Sequence, residues 1–441
     1  MPLLSLLDRS RSVAPPGYSR WLVPPAALAI HLSIGQVYAF SVFKIPLSRL
    51  IGGAHAAPDD WSLATLAWIF SIAIVFLGLS AALFGAWLER VGPRRAMFTA
   101  ALSFGGGFWV AAAGVALHQL WLVILGYGVL GGIGLGLGYI SPVSTLIRWF
   151  PDRPGMATGM AIMGFGGGAM IAAPLSVSLM TRFAGVAPQG VVPTFLVMGA
   201  AYFVYMMFGV FTIRVPPPGW APAGWVPNEK RRAAGPETSV QNAWTSPRFW
   251  LVWVVLCMNV TAGIGILEQA SPMIQELFKG RVAAAAAAGY VSLLSLANMV
   301  GRFVWSSVSD YLGRKATYAT FFALGAALYA SVPSLGAAGA LPPFVIVTAL
   351  LLSMYGGGFA TVPAYLRDLF GTMQVGAIHG RLLTAWSVAG VLGPLLVNRI
   401  RDAQLAAGVP RAHAYDMTMY VMAALLAVGF VSNALVRRPA V

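Results

Sequence analysis

Charge is the first thing that this sequence has little of. Asp, Glu, Lys and Arg make up only 9% of its 441 residues, whereas they make up about 25% of a soluble domain. Acids are the scarcest, with 13 Asp and Glu against 28 Lys and Arg, while 58% of the residues are hydrophobic. This composition excludes an ordinary soluble protein and predicts one that lies in a membrane.

Cysteine and catalytic clusters are also missing. Cys257 is the only cysteine, so no internal disulfide can form. We find no cluster of metal-ligating residues and no nucleophile beside a base. Glycine-rich runs at 131–138 and 164–168 contain GxG patterns, but without a preceding strand or a P-loop lysine they indicate close helix packing rather than a nucleotide site. We therefore expect no enzyme, no metal and no cofactor.

Long apolar runs take the place of charge. A helix crosses a bilayer with about 20 apolar residues, and the chain holds twelve runs of roughly that length. They cover residues 22–43, 63–84, 97–117, 121–147, 155–180, 193–213, 250–275, 284–307, 316–332, 342–365, 376–398 and 415–436. The sequence therefore predicts an all-α membrane protein with twelve transmembrane helices.

Lys and Arg are unevenly placed between these spans. The net charge of +15 would suit nucleic acid, but with the N-terminus in the cytoplasm 18 cations fall in inner segments and 8 in outer segments. This bias follows the positive-inside rule and predicts that both termini are cytoplasmic. The lipid bilayer, rather than nucleic acid, is then the expected partner, and we expect a multi-pass monomer in the cell (inner) membrane.

The longest polar interruption divides the spans six and six. Residues 214–248 are rich in proline and charge, which is typical of a linker. We predict an N-terminal six-helix bundle at 1–213, a cytoplasmic linker loop at 214–248 and a C-terminal six-helix bundle at 249–441.

A short motif recurs after the second and the eighth span. In each copy an acid is followed by a glycine three positions on and then by two cations. Glycine suits a turn at positive φ, and the cations can pair with the acid and with the C-terminal end of a neighbouring helix. The motif residues are Glu89, Arg90, Gly92 and Arg94 in the first copy and Asp310, Gly313 and Arg314 in the second.

This motif, the twelve spans and the central loop resemble the major facilitator superfamily. The resemblance covers nearly the whole chain, although Glu89 stands where the family usually has Asp and Pro93 interrupts its basic run. It implies two six-helix bundles, a substrate site at their interface and alternating access by rocking of the bundles. It also implies a conformational role for the motif residues.

Five shorter segments resemble the oxalate:formate antiporter family, a branch related to monocarboxylate carriers. They lie at 35–43, 138–142, 148–159, 298–302 and 355–361. The family implies transport of small carboxylates such as oxalate, formate, pyruvate or lactate. In its oxalate-handling members a lysine in helix eleven joins an arginine in helix eight. Trp386 occupies the lysine position here, which favours a monoanion over a dianion.

Arg302 is the strongest candidate for binding this anion. It lies in an otherwise apolar span, where a cation costs roughly 2.5–3.5 kcal/mol and usually faces a partner or a pathway. Its planar guanidinium matches a carboxylate with two parallel hydrogen bonds. The alternatives are an internal ion pair, with Asp310 about two turns on, or snorkelling to the headgroups. Helical spacing places Ser295 and Asn298 on the same face.

Four further residues complete the predicted substrate site. Asn298 is expected to contact the substrate or to brace Arg302. Tyr38 and Tyr139 can donate hydrogen bonds from their hydroxyls in the N-terminal half. Trp386 either forms the base of the pocket or packs between helices. Gln36 lies about 200° around the helix from Tyr38, so the two cannot line the same pocket.

The sequence leaves open whether a proton travels with the substrate. His31 and His379 are titratable candidates, although a lone histidine on a helix is more often packed or at an edge. No carboxylate lies clearly at the centre of a span, and Glu268, near the outer end of the seventh, is the remaining candidate for coupling. Exchange, uniport and co-entry of a proton all stay open.

These observations predict a secondary active transporter of small carboxylates. Monocarboxylates of the lactate, pyruvate or formate type are favoured, with the small organic anion bound by Arg302. An oxalate/formate-type exchanger and a facilitator-type exporter of an unrelated solute are the alternatives. A membrane enzyme or receptor is disfavoured, because no catalytic constellation or soluble domain is visible.

Overall fold

The computed structural model describes residues 3–53, 55–185, 190–225 and 236–437. Twelve helices in these ranges are long and apolar enough to cross a membrane, which confirms the predicted fold class. We number them α1 (Arg20–Ala39), α2 (Leu63–Val91), α3 (Pro93–Ala116), α4 (Leu120–Trp149), α5 (Pro154–Arg182), α6 (Val191–Thr212), α7 (Pro247–Leu277), α8 (Ala284–Leu312), α9 (Arg314–Ala337), α10 (Leu341–Phe370), α11 (Val375–Ala406) and α12 (Asp416–Leu435).

The second and eighth helices run further than predicted. α2 continues to Val91 and α8 to Leu312, so the acid of each motif lies in the last part of one helix, and Arg94 and Arg314 lie in the first turn of the next. Only Gly92 and Gly313 form the turn, and both have a φ of 85°, which glycine adopts without steric cost. The predicted glycine turns are confirmed. The predicted helix ends at 84 and 307 are wrong, because the helical hydrogen bonds continue beyond the apolar run.

Two of the helices are not regular throughout. In α1 the α-helical part gives way to a 3-10 turn at Gly35–Ala39, which carries Tyr38. The span predicted at 22–43 is therefore present at Arg20–Ala39, but part of it is 3-10 helix rather than α-helix. In α11 the helix is interrupted at Leu383, three residues before Trp386. Two of the predicted substrate-site residues thus lie beside breaks in the helical backbone.

The helices pack as two groups of six. In the first group α1 packs on α5, α2 on α4 and α3 on α6, and in the second α7 packs on α11, α8 on α10 and α9 on α12. The pairs α5–α8 and α2–α11 join the groups. Small residues allow this approach: a Cβ added to Gly85 would lie 2.7 Å from the Cα of Ala377, and one added to Gly166 would lie 3.1 Å from the Cα of Met299.

The segment predicted as a linker, 214–248, is described at 214–225 and 236–248. Val215 forms a β-bridge with Val13 near the N-terminus. Glu237 accepts hydrogen bonds from the backbone N–H groups of Thr372 and Met373, just before α11. The described parts of the linker therefore contact the N-terminal segment and the turn between α10 and α11. Its proposed bounds, and those of the bundles at 1–213 and 249–441, stay predictions.

The two ends of the interface between the groups differ. We call the end that carries Gly92 and Gly313 the motif face. There Asp310 on α8 accepts hydrogen bonds from the backbone N–H groups of Gly155 and Met156 at the start of α5, both at 2.9 Å. At the opposite end a cavity of about 400 Å³ lies between α1, α2, α7 and α11. The structure is therefore closed at the motif face and open at the opposite face.

Candidate substrate site

Arg302 lies on α8 where this helix packs against α5. The side chain is fully buried, and its Nε donates to Asn298 Oδ1 at 3.1 Å. Nη1 and Nη2 have no hydrogen-bond partner among the described residues. Asp310 is bound to the start of α5 and to Arg314, so the alternative of an Arg302–Asp310 pair is wrong. Full burial also excludes snorkelling. Among the described residues the guanidinium has no carboxylate partner, and the hydroxyl of Tyr38 approaches it without forming a hydrogen bond of normal geometry.

Aromatic rings surround the Arg302 guanidinium. Its Cζ lies 5.1 Å from the ring centre of Phe359 and 5.5 Å from that of Phe165. Trp386 packs against both rings, with centres 4.4 Å and 5.3 Å away. Cation–π contacts of this kind stabilise a desolvated guanidinium. The cation is therefore held in place without being neutralised.

Two tyrosines from opposite groups meet beside the guanidinium. The hydroxyls of Tyr38 on α1 and Tyr355 on α10 form a hydrogen bond at 3.1 Å. Tyr38 is partly exposed and lines the open cavity, whereas Tyr355 and Arg302 are buried. The tyrosine pair therefore separates Arg302 from the cavity. Gln36 points away, as its angular separation predicts, and accepts from the hydroxyl of Tyr127 at 2.9 Å.

Tyr139 on α4 completes the ring of aromatic side chains. Its ring centre lies 5.5 Å from that of Trp386 and 5.6 Å from that of Phe165. Its buried hydroxyl approaches Arg302 without forming a hydrogen bond of normal geometry. We call the residues around the guanidinium the aromatic cage: Tyr38, Tyr139, Phe165, Tyr355, Phe359 and Trp386.

The structure brings the five predicted substrate-site residues to one place, and their role in binding stays a prediction. It also adds Phe165, Tyr355 and Phe359, which sequence reasoning missed. Tyr355 and Phe359 lie in the family-like segment 355–361, and Phe165 lies in the glycine run at 164–168. These two segments were therefore already noted in the sequence, although not for these three residues. Nothing in a single sequence separates these three residues from their apolar neighbours.

The candidates for proton coupling do not all lie together. His31 on α1 and His379 on α11 are both buried beside Tyr139, with ring centres 5.3 Å and 5.8 Å from the tyrosine ring. Glu268 belongs to the last third of α7, and its side chain lies outside the described part of the chain. The two histidines therefore adjoin the aromatic cage, and the contacts of Glu268 stay untested.

The second motif copy links helices at the motif face. Arg314 donates to Asp310 at 2.6 Å and to Asp368 at 3.2 Å. Lys315 donates to two backbone carbonyls at the C-terminal end of α12, at 2.6 Å and 2.9 Å. The predicted pairing of the cations with the acid and with a helix C-terminus is confirmed for this copy.

The first motif copy is built differently. Glu89 pairs with Arg148 of α4 at 2.5 Å, and its other oxygen accepts from the Gly376 N–H at the start of α11 at 3.2 Å. Arg94 is buried in the first turn of α3 and donates to backbone carbonyls of the N-terminal segment and α6, both at 3.1 Å. Arg90 is exposed. The predicted pairing of the acid with the motif cations is therefore wrong for this copy.

A family model described as Major Facilitator Superfamily matches residues 17–394. The chain belongs to this family and is a membrane transporter of the major facilitator type.

Its fold is similar to that of the proton:xylose symporter XylE, with a TM-score of 0.67 and 16% identity over 97% of each chain. It is also similar to the Escherichia coli fucose:proton symporter FucP, with a TM-score of 0.66 and 13% identity over 96% of this chain and 100% of that chain. At these identities the similarity concerns the fold alone.

Three relatives match most of the chain at low sequence identity. The uncharacterized MFS-type transporter YhjX of Escherichia coli (strain K12) is 24% identical over 378 residues, which are 85% of this chain and 86% of the relative. The oxalate:formate antiporter of Oxalobacter formigenes is 26% identical over 379 residues, 85% and 83% of the two chains. Apicoplast pyruvate carrier 1 of Toxoplasma gondii is 25% identical over 386 residues, 74% and 68% of the two chains. The resemblance predicted from the sequence is confirmed.

Proposed function

We propose that this protein is a secondary active transporter of small monocarboxylates of the lactate, pyruvate or formate type. The observation that carries the proposal is the fully buried Arg302, whose Nη1 and Nη2 find no acceptor among the described residues. A buried charge without a partner is costly, so the arrangement favours a site that a substrate anion completes. A carboxylate fits, because its two oxygens match the guanidinium fork.

The aromatic cage sets the proposed charge and size of the substrate. The cage supplies no second cation, and Trp386 stands where the family resemblance expects a lysine for a dianion. Phe165, Phe359 and Trp386 offer an apolar surface to a short carbon chain. Tyr38 and Tyr139 can donate to the carboxylate without adding charge. Together these features favour a small monoanion.

The proposed cycle starts from the conformation described above. A monocarboxylate enters the open cavity, displaces the hydrogen bond between Tyr38 and Tyr355, and binds Arg302. The cavity then closes, and the contacts of Glu89 and Asp310 separate at the motif face. We place the motif face and both termini in the cytoplasm, since Lys and Arg favour that side, and we propose a monomer in the cell (inner) membrane.

The names of two relatives support the substrate class. One relative is an oxalate:formate antiporter and another is an apicoplast pyruvate carrier, and all three solutes are small carboxylates. The antiporter makes oxalate exchange the second candidate function. Trp386 is the residue that argues against it, because a dianion at this position would have only one cation.

Counterflow in proteoliposomes tests the proposal. Purified full-length protein, in vesicles loaded with unlabelled lactate, pyruvate or formate, is expected to take up the labelled acid by exchange. Arg302→Ala is expected to lower the rate about a hundredfold, because truncating one partner of a buried hydrogen-bonded charge pair costs about 2–5 kcal/mol. Arg182→Ala, at an exposed position in the last turn of α5, is the matched control and should exchange normally.

Two outcomes would overturn the proposal. One is undiminished exchange by Arg302→Ala, and the other is a wild-type protein that exchanges none of the three acids. The thermal unfolding midpoint of each variant shows whether it is folded. A midpoint raised by an unrelated solute, and by none of the carboxylates, would favour the exporter alternative, since only a ligand of the native state stabilises it.

A further inference from the structure

A groove between α9 and α12 opens on the outer surface of the second group of helices, and the proposed function does not use it. It encloses about 530 Å³ and reaches the turn at the motif face. Ala316 and Ala319 of α9 and Ala434 of α12 line it, together with the large exposed side chains of Leu312 and Phe430. Small residues between large ones leave a channel with apolar walls, which fits a hydrocarbon chain.

Two cations lie at the end of the groove nearest the motif face. Lys315 directly precedes the ninth predicted span and Arg437 directly follows the twelfth, so both belong to the level of the lipid head groups. The Lys315 ammonium donates to the backbone carbonyl of Val436 at 2.9 Å, and a peptide bond joins that carbonyl to Arg437. One anion at this position can therefore contact both cations.

Neither cation has a carboxylate partner in the described part of the chain. Lys315 and Arg437 are both exposed, and no described acid lines the groove. The acids that contact this motif copy, Asp310 and Asp368, bind Arg314 instead. An ammonium has three donors, of which two bind carbonyls, so Lys315 keeps one for an anion.

The first motif copy shows what occupies the equivalent position in the other half of the chain. Arg94 follows its motif glycine by two residues, as Lys315 does. Arg94 donates to the backbone carbonyl of Phe211 near the end of α6, and Lys315 donates to carbonyls at the end of α12. The two cations thus hold equivalent pairs of helices, but Arg94 is buried and Lys315 is exposed.

The N-terminal segment accounts for this difference. Residues 3–12 pack on α3, with Leu7 buried, and the Leu6 carbonyl accepts from Arg94 at 3.1 Å. The next residue, Asp8, forms an ion pair with Arg95. The segment therefore brings an apolar side chain and a negative charge to the start of α3. Among the described residues nothing brings either to the start of α9.

We propose that an anionic phospholipid of the leaflet at the motif face occupies the groove, with its phosphate between Lys315 and Arg437 and an acyl chain along the alanines. Basic pockets between membrane helices suit anionic head groups. The apolar walls favour a lipid over a soluble phosphate, which would use only the cations at the end. A zwitterionic lipid fits less well, because its own cation offsets the phosphate. This inference does not depend on the transported solute.

The lipid would join the start of α9 to the end of α12, as the N-terminal segment and Arg94 join α3 to α6. It occupies a groove that exists only when these helices are packed together. A ligand of the native state raises the midpoint of thermal unfolding. The unfolding midpoint therefore reports binding without any transport assay.

The test titrates the purified full chain, in a neutral detergent, with phosphatidylglycerol or with phosphatidylcholine of the same acyl chains. Native mass spectrometry counts the lipids that the protein retains. Lys315→Gln with Arg437→Gln removes both charges, and glutamine can still donate to the α12 carbonyls. Ala319→Phe fills the groove and leaves the charges unchanged. The matched control is Arg182→Gln with Lys279→Gln, which removes two exposed cations at the opposite face.

In the wild type we expect phosphatidylglycerol to raise the midpoint at about a tenfold lower concentration than phosphatidylcholine, because two cations act on one net negative charge. The charge variant should lose this preference, and Ala319→Phe should need more of both lipids. The control should behave as the wild type. Soluble sn-glycerol 3-phosphate should have no effect. If the charge variant does not unfold cooperatively, Arg437→Gln alone takes its place and should weaken the preference.

Three results would overturn the proposal. The first is equal stabilisation of the wild type by the two lipids at every concentration. The second is a preference for phosphatidylglycerol that the folded charge variant keeps, because the anion would then bind elsewhere. The third is stabilisation by sn-glycerol 3-phosphate as strong as that by phosphatidylglycerol, which would indicate a soluble anion in place of a lipid.

Discussion

The hydroxyls of Tyr38 on α1 and Tyr355 on α10 are 3.1 Å apart and join the two groups of helices by a hydrogen bond. Tyr38 lines the open cavity, and Arg302 is buried behind the pair. A substrate that reaches Arg302 from this cavity must first break the bond. The tyrosine pair thus covers the cation, and in the proposed function it is the first pair of donors that an incoming carboxylate meets.

Tyr38→Phe is expected to raise the KM for the transported monocarboxylate about fivefold, because one hydrogen bond contributes about 1 kcal/mol. Initial rates of uptake over a range of substrate concentrations measure the effect. Tyr205→Phe, at an exposed position of α6, removes a hydroxyl far from Arg302 and should leave the KM unchanged. An unchanged KM in Tyr38→Phe would contradict the proposed contact with substrate.

Trp386→Lys is expected to shift the preference toward oxalate, since it adds a second cation beside Arg302 for a dianion. We expect the ratio of oxalate to lactate exchange rates to rise about tenfold, equivalent to about 1.4 kcal/mol. Trp386→Phe keeps an apolar ring without a charge and should keep the preference for monoanions. A Trp386→Lys protein that is folded and has an unchanged ratio would argue against the site.

Asp310→Asn is expected to loosen the motif face. The Asp310 carboxylate accepts from the backbone N–H groups of Gly155 and Met156, and hydrogen bonds to a charged group contribute about 1.5–3 kcal/mol. Loss of the charge should therefore raise the population that is open at the motif face about tenfold.

The rate of cysteine labelling measures this shift. Thr158 is buried between α5 and α10 and donates to the Ala360 carbonyl at 2.6 Å, so Thr158→Cys is protected while the motif face is closed. Cys257→Ser removes the native thiol. A maleimide should react with Thr158→Cys about tenfold faster when Asp310→Asn is added. Asp402→Asn, at the opposite face, should not change the rate, and equal rates in all three proteins would contradict the prediction.

Two cations from opposite groups line the open cavity, Lys44 just after α1 and Arg399 on α11. A positive entrance raises the local concentration of an anion, and salt screens this effect with a Debye length of about 10 Å at 0.1 M. Lys44→Gln combined with Arg399→Gln should raise the KM about threefold at low ionic strength with an unchanged maximal rate. Asp402 lines the same cavity, so Asp402→Asn should lower the KM.

Raising the salt concentration is the further check on this electrostatic effect. At about 0.5 M salt the KM values of the wild type and both charge variants should converge, because the charges are then screened over a few ångströms. A KM difference that persists at high salt would indicate a direct contact with substrate rather than attraction at a distance.

Local properties of the chain determined the twelve helices, the glycine turns and the presence of a cation, Arg302, within an apolar span. Each of these depends on the sequence within one segment: the length of an apolar run, the freedom of glycine at Gly92 and Gly313, and the cost of a cation in an apolar span. The helix ends at Val91 and Leu312 were harder to predict, because backbone hydrogen bonding continues after hydrophobicity stops.

Only the tertiary structure decided which side chains meet. Phe165 and Phe359 are apolar residues in apolar helices, and no local feature marks them as neighbours of Arg302. Glu89 pairs with Arg148 rather than with the cations of its own motif. His31 and His379, from opposite groups of helices, both contact the ring of Tyr139. These meetings depend on how far each helix is rotated and at what angle it crosses its neighbours, and no single segment contains that information.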